Sequence, residues 1–132
     1  MASIFIIRTS FVIWISSFDL FLPRGFGTMQ IDSIEVFHVA LPLRQPQETP
    51  FGPLTALQTV LVRMQSGESF GWGESSPGNA PLAGSEWAGS VFSCVRDWLA
   101  PLAVGKLVDS GAALQELMGQ VRGNQSFHSG TT

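Results

Sequence analysis

Two stretches decide the fold of this 132-residue chain: MQIDSIEVFHVALPLR (Met29–Arg44) and ALQTVLVRMQSGESFGWGE (Ala56–Glu74). Both are rich in Val, Ile and Phe, residues that fit the half-buried surface of a sheet. The first stretch predicts a strand over Ile34–Leu41, which Pro42 is expected to end because proline cannot donate to a β-ladder.

The second stretch predicts two further strands. Residues Thr59–Gln65 alternate in the pattern of a half-buried strand, and Ser66-Gly67 has the composition of a tight turn. Ser69–Glu74 then reads as the third strand, in which Gly71 and Gly73 would allow another group to approach closely. The order of these segments predicts a three-stranded antiparallel β-meander.

Two Pro/Gly-rich segments interrupt the regular pattern. Leu43–Ala56 contains Pro46, Pro50 and Pro53 without a helical or strand period, and it is predicted to be a long loop. Ser75–Gly84 is predicted to be a second loop. Long loops in compact domains are commonly functional, so both are candidate binding segments.

Helices are expected after the meander, which gives an α+β fold. Ser85 is the predicted N-cap of a helix that Pro101 ends, with an apolar stripe of Trp87, Val91, Val95, Trp98 and Leu99. Asp109 or Ser110 is the predicted cap of a second helix, which Gly123 would end. The stripe and the strand pattern favour core packing for Trp72, Trp87 and Trp98 over a binding platform.

Charge and cysteine content exclude several classes of function. The formal net charge of −3 and the single lysine, Lys106, argue against nucleic-acid binding, which needs clustered cations. Cys94 is the only cysteine, so it can form neither an intramolecular disulfide nor a thiolate zinc site, and it is expected to be a small buried apolar residue in a cytoplasmic protein. Charged residues make up only 13% of the chain, which is typical of a domain with a face that docks elsewhere.

Residues 1–28 differ in character from the rest and are expected to lie outside the fold. Arg8 and Asp19 interrupt their apolar run, which makes a stable membrane span improbable. No small-residue cleavage site follows, as a signal peptide requires. Met29 is therefore the expected natural start, and no membrane partner is predicted.

Motifs for catalysis are not found in the sequence. It has no GxGxxG, P-loop, HExxH or GxSxG pattern, and no catalytic or metal-binding residue is predicted. His38, in the middle of a predicted strand, is expected to be a structural histidine. Glu74 could face a ligand, but the favoured interpretation is a carboxylate that accepts hydrogen bonds from backbone N–H groups of the following loop.

The chain resembles the N-terminal capping domain of the mandelate racemase/muconate lactonizing branch of the enolase superfamily. Within that branch it is most similar to o-succinylbenzoate synthases and N-succinylamino acid racemases, with muconate cycloisomerases and dipeptide epimerases as relatives. The resemblance covers residues 29–130, and it rests on IDSIEVFHVALPLR, Thr49-Pro50-Phe51-Gly52, TVLVRMQSGESFGWGES, Pro81-Leu82-Ala83, Leu99-Ala100-Pro101-Leu102 and Gly123-Asn124.

The resemblance implies that the domain folds over the mouth of a (β/α)-barrel and that Leu43–Ala56 and Ser75–Gly84 close over a small carboxylate substrate. The candidate specificity residues in these segments and beside them are Thr49, Phe51, Gly52, Glu74 and Pro81. In the family, Lys or His bases on the barrel abstract a proton α to a carboxylate, and Mg²⁺ held on acidic residues of the barrel stabilises the resulting enediolate. No cofactor is expected on this chain itself.

The sequence departs from the family pattern after Asn124, where GNQSFHSGTT replaces the expected entry into the barrel. The chain is therefore expected to be a lid without its catalytic barrel and to be inactive alone. Two alternatives stay open: a free-standing interaction domain that docks on a separate barrel or self-associates, and a small protein tethered to a membrane by residues 1–28.

Overall fold

The computed structural model describes residues 9–10 and 27–122. The strands are β1 (Thr9–Ser10), β2 (Met29–Gln30), β3 (Ser33–Thr49), β4 (Gly52–Ser66), β5 (Ser69–Ser75) and β6 (Leu107–Val108). The helices are α1 (Ala88–Cys94), a π-helical turn (Val95–Leu99), α2 (Ala100–Ala103) and α3 (Gly111–Met118). Strands followed by helices give the predicted α+β fold.

The main sheet has the strand order β1-β3-β4-β5, and every neighbouring pair is antiparallel. Its centre is the predicted meander: Val36 lies opposite Val62, and Val62 lies opposite Gly73. The turn between β4 and β5 contains Gly67 with φ of 57°, and the Gly67 N–H donates to Asp32 Oδ2 at 2.6 Å. β1 extends the sheet beside Glu35 and Val36.

One face of the sheet packs against the helices. The alternating side chains of Ile34, Val36, Val60, Val62 and Met64 are buried there. From the helices, the buried members of the same core are Ala88, Val91, Phe92, Val95, Leu99, Ala100, Ala103, Leu114 and Met118. Full burial of a Val, Leu or Ile side chain stabilises a fold by about 1.5–3 kcal/mol, so this single core holds the sheet and the helices together.

The segment Leu43–Ala56, predicted to be a loop, is instead the outer part of a long β-hairpin. Pro42 does not end β3; the ladder shifts register after the Pro42–Ala56 pair and resumes at the Gln47–Leu54 pair. Between these pairs, the four residues 43–46 stand opposite Thr55 alone. The bulge takes Pro46 out of the ladder, and Pro50 lies in the turn at the tip. Pro42 and Pro53 keep paired positions, opposite Ala56 and Glu48. Residues 42–56 are called the arm below.

The first helix begins later than the sequence predicts. Helix α1 starts at Ala88 with Trp87 as N-cap, whereas Ser85 lies exposed in the segment before it, so the predicted capping role of Ser85 is wrong. Ser90 Oγ accepts from Trp87 N at 3.1 Å and donates to Trp87 O at 2.8 Å, which gives Ser90 the capping role. The helix is held at this later start because the Gly78 carbonyl accepts the Ala88 N–H at 2.8 Å.

Pro101 does not end the helical region, which continues to Ala103. Proline has no N–H, and its ring crowds the carbonyl four residues earlier. The chain widens into a π turn just before it, where the Ala100 N–H donates to the Val95 carbonyl. This wider turn takes Trp98 off the apolar stripe: Trp98 is 67% exposed, whereas Leu99 is fully buried. The predicted core position of Trp98 is therefore wrong.

The predicted burial of Trp72 and of Cys94 also differs from the structure. Trp72 is 47% exposed, so its predicted core position is wrong, while Trp87 is half-buried. Cys94 is half-buried and packs against the core. Ser110 is confirmed as the cap of α3, because its Oγ accepts from Ala113 N at 3.2 Å.

A second, two-stranded sheet holds the start of the domain against the helices. Met29 of β2 pairs with Val108 of β6, and the Gly105 N–H donates to the Ile31 carbonyl at 2.7 Å. None of the helices in the described part of the chain is long and apolar enough to cross a membrane. Helix α3 ends at Met118 with Gly119 as its C-cap, so the predicted helix end at Gly123 is wrong.

Candidate functional site

The arm and the segment Ser75–Gly84 leave the same end of the main sheet. Strand β5 ends at Ser75, which lies opposite Val60, and β4 runs outward beyond that pair into the arm. The segment Ser75–Gly84, called the second loop below, therefore begins beside the base of the arm. The fold brings together the two segments that the sequence marked as candidate binding segments.

The tip of the arm is a two-residue turn between Thr49 and Gly52. Thr49 Oγ1 donates to the Gly52 carbonyl at 2.6 Å and accepts from the Phe51 N–H at 3.2 Å. Gly52 has a φ of 108°, a conformation that L side chains rarely adopt. These features hold the tip in one shape and leave the Phe51 ring 57% exposed.

Asn79 attaches the second loop to the base of the arm. Its Oδ1 accepts from the Gln58 N–H at 2.8 Å, and its Nδ2 donates to the Ala56 carbonyl at 2.6 Å. Gly78, with a φ of 110°, precedes Asn79 and its carbonyl accepts from the Ala88 N–H. The second loop thus contacts both the arm and the first turn of α1.

Glu74 belongs to a small hydroxyl network where the second loop begins. Its Oε1 accepts from Thr59 Oγ1 and from Ser76 Oγ, each at 3.0 Å. Thr59 is buried, and its Oγ1 also lies 3.0 Å from the Ser75 carbonyl. The donors to Glu74 are hydroxyl groups and not the predicted backbone N–H groups: one comes from Thr59 on β4 and the other from Ser76 in the second loop.

His38 lies under the base of the arm. Its Nε2 is 2.8 Å from Gln58 Oε1, and its ring centroid is 5.7 Å from that of Phe92 on α1. These contacts give His38 the structural role that was predicted. Gln58 thus contacts His38 through its side chain and Asn79 of the second loop through its backbone N–H.

The structure therefore places the predicted site residues in two groups. Thr49, Phe51 and Gly52 lie at the tip of the arm. Glu74 lies on β5 immediately before the second loop, and Pro81 lies in the middle of that loop. Sequence reasoning missed Asn79, Gln58 and Thr59. The tendency of asparagine to bond to backbone groups was a usable signal for Asn79, but its partners lie more than twenty residues away along the chain.

A groove of about 530 Å³ lies elsewhere, along α1 and the π turn. Its lining includes Trp87, Ser90, Cys94, Asp97 and Trp98. The exposed Asp97 carboxylate accepts two hydrogen bonds from the Arg96 guanidinium, at 2.6 and 2.8 Å, and this lowers the pKa of Asp97. The groove contains none of the predicted site residues.

Comparison with known proteins agrees with this geometry. The chain is 32% identical over 99 residues to a chloromuconate cycloisomerase from Pseudomonas putida, covering 74% of this chain and 27% of the relative. It is 26% identical over 97 residues to an o-succinylbenzoate synthase from Geobacillus stearothermophilus, covering 73% of this chain and 26% of that enzyme. No family model matches the chain.

A solved structure shows the same arrangement of elements. The crystal structure of a muconate lactonizing enzyme from Pseudomonas fluorescens, complexed with muconolactone, matches with a TM-score of 0.69 and 28% identity. The match covers 77% of this chain and 28% of that one. The described domain has the fold of the N-terminal capping domain of the enolase superfamily. The chain spans about a quarter of the length of the curated relatives that it matches.

Proposed function

We propose that this capping domain is the substrate-specificity lid of an enolase-superfamily isomerase or lyase of the racemase, cycloisomerase or o-succinylbenzoate synthase type. The observation that carries the proposal is the joint position of the arm and the second loop at one end of the sheet, connected by Asn79. A lid needs such a projecting surface to cover a substrate and to exclude water.

The arm supplies the part of the lid that reaches furthest. Phe51 presents an exposed aromatic ring on a turn fixed by Thr49 and Gly52. An apolar ring on a fixed turn can cover a substrate and remove water from it, and Pro81 in the second loop offers a further exposed surface. The proposed substrate is a small carboxylate, bound between this lid and a (β/α)-barrel.

The described residues do not fit the metal of the family. Among residues 9–10 and 27–122, no three His, Cys, Asp or Glu side chains lie close enough together to hold a metal ion. The proposed role of this domain is therefore binding, positioning and exclusion of water. Mg²⁺ and the groups that move protons are assigned to the barrel and not to these residues.

A chimera tests the proposal. Residues 27–122 would replace the corresponding domain of the Pseudomonas putida chloromuconate cycloisomerase, and kcat/KM would be measured with Mg²⁺ for a panel of small carboxylates. We expect the chimera to turn over substrate with a preference different from that of the parent enzyme. In the chimera, Phe51→Ser should raise KM on the order of tenfold, because an apolar contact worth about 1–2 kcal/mol is lost.

Phe70→Ser is the matched control, because Phe70 is also exposed but lies at the turn between β4 and β5. It should leave KM unchanged. Equal effects of the two substitutions on KM would contradict the proposal, and so would a chimera with the substrate preference of the parent.

A second proposal is that the domain docks on a separately encoded barrel or on a second copy of itself. It is favoured by exposed apolar side chains on the sheet face opposite to the helices: Leu41, Leu57 and Trp72 are each 45–47% exposed. Co-purification with a barrel encoded apart would support the first form of association. Sedimentation velocity on the chain alone measures the second, and a clean monomer at all concentrations would contradict it.

A further inference from the structure

The sheet narrows where the arm begins, because β5 stops before β4 does. The last pair between these strands joins Val60 to Ser75. Beyond it, within the part of the chain that the structure describes, the N–H of Gln58 and the carbonyl of Ala56 have no strand of this sheet on the β5 side. These two groups are two residues apart on β4, so they point to the same edge.

The side chain of Asn79 bonds to both of these groups. Its carboxamide carries an acceptor and a donor, the same pair that a backbone peptide of a neighbouring strand would offer. The distances of 2.8 Å to Gln58 N and 2.6 Å to Ala56 O lie at or just below the usual range for N–H···O bonds. One side chain thus takes the place of a further strand residue at the base of the arm.

The backbone around Asn79 is itself fixed to the body of the domain. Gly78 accepts the first N–H of α1, and Thr59 Oγ1 contacts both Ser75 O and Ser76 Oγ, at 3.0 and 2.7 Å. The second loop is therefore held at its start and at its middle. Asn79 is the contact through which this fixed loop reaches the arm.

We infer that the arm is held to the domain through the second loop, so that the two segments form one rigid body, with Asn79 as the positioning residue that joins them. The lid would then keep one shape and move only with the whole domain, not as two independent loops. The description of this body as a lid rests on the proposed function, whereas the coupling itself does not. Removing the carboxamide should free the arm while leaving the core intact.

NMR-detected hydrogen exchange on the full chain tests the coupling. In Asn79→Ala, exchange of the arm amides of Gln47, Thr49 and Leu54 should accelerate about tenfold, the effect of losing hydrogen bonds of ordinary strength. Asn79→Asp keeps an acceptor for the Gln58 N–H but has no donor for the Ala56 carbonyl. In this variant, exchange of the same arm amides should accelerate while the Gln58 amide stays protected. The aspartate variant also tests the inference if the alanine variant does not fold.

Ser85→Ala is the control, since Ser85 lies exposed in the bend that follows the second loop. Unchanged exchange in the arm of the Asn79 variants would overturn the inference. So would an equal acceleration at the buried residues Val62 and Val91, because that pattern reports general destabilisation. Neither result depends on a barrel or on turnover, so failure here is distinguishable from failure of the proposed function.

Discussion

The ring centroids of Phe37 and Trp72 lie 5.8 Å apart, with their planes inclined by 33°. Both residues belong to the sheet face opposite to the one that packs on the helices, because each alternates with core-facing positions. Trp72 is 47% exposed. This aromatic pair is the centre of the surface through which we expect the domain to associate.

Trp72→Gln should reduce self-association of the chain, because it removes the largest exposed apolar side chain of this face. Sedimentation velocity over a range of concentrations checks the result, with a shift toward the monomer as the expected outcome. Trp98→Gln is the matched control, since Trp98 is 67% exposed on the helical region. If both substitutions shift the distribution equally, or neither does, the sheet face is not the associating surface.

Gly52→Ala should destabilise the domain by about 1–3 kcal/mol through backbone strain. Apart from the adjacent residues of the chain, no atom of the described residues lies within 4 Å of the position that a Cβ would take, so the cost comes from the φ of 108° and not from a clash. Gly84→Ala serves as the control: its Cβ also meets open space, and its backbone is not in the left-handed region. Urea denaturation monitored by circular dichroism measures both, and equal midpoints would rule out strain at the tip of the arm.

Ser110→Ala should cost about 0.5–2 kcal/mol of stability, because it removes the acceptor for the Ala113 N–H at the start of α3. Ser85→Ala should change stability by less than about 0.5 kcal/mol, as expected for a surface position without such a role. Thermal unfolding of the two variants compares a serine that caps a helix with one that was only predicted to do so. A larger loss from Ser85→Ala would restore the predicted helix start.

Arg96→Ala should raise the pKa of Asp97 toward its ordinary value, because the hydrogen bonds from the guanidinium are what lower it. A carboxylate with a lowered pKa in the folded state stabilises the fold above its unfolded pKa of about 3.9. That contribution is lost as the pH falls through the lower folded value. An NMR titration of the Asp97 carboxyl measures the shift, and Arg44→Ala should leave it unchanged. A titration curve identical in Arg96→Ala and wild type would refute the assignment.

The three strands of the meander could be predicted because alternation and turn composition act locally. The arm could not, since prolines 42, 46, 50 and 53 argue against a strand until the bulge opposite Thr55 is known. Trp98 was misplaced for a related reason: a helical wheel assumes a constant turn, and the π turn before Pro101 changes it. In each case a proline altered the backbone in a way that periodicity does not record.

The candidate site was predictable only in outline. The two Pro/Gly-rich segments marked its location, and Glu74 and Phe51 were found from their positions in them or next to them. Asn79 was not, because its importance depends on where β5 ends relative to Ala56. The relative ends of two strands depend on how the strands pair, and no short stretch of sequence contains that information.

The bulge in β3 lies between the tip of the arm and the buried part of the sheet, so the direction of the tip and the packing of the core can vary independently. Pairing is regular up to Pro42 and Ala56 and regular again from Gln47 and Leu54 outward. A change in the number or type of the residues 43–46 therefore alters the direction of the tip without shifting the register of the buried strands. Changes at these four positions can therefore redirect the exposed Phe51 ring while the core keeps its packing.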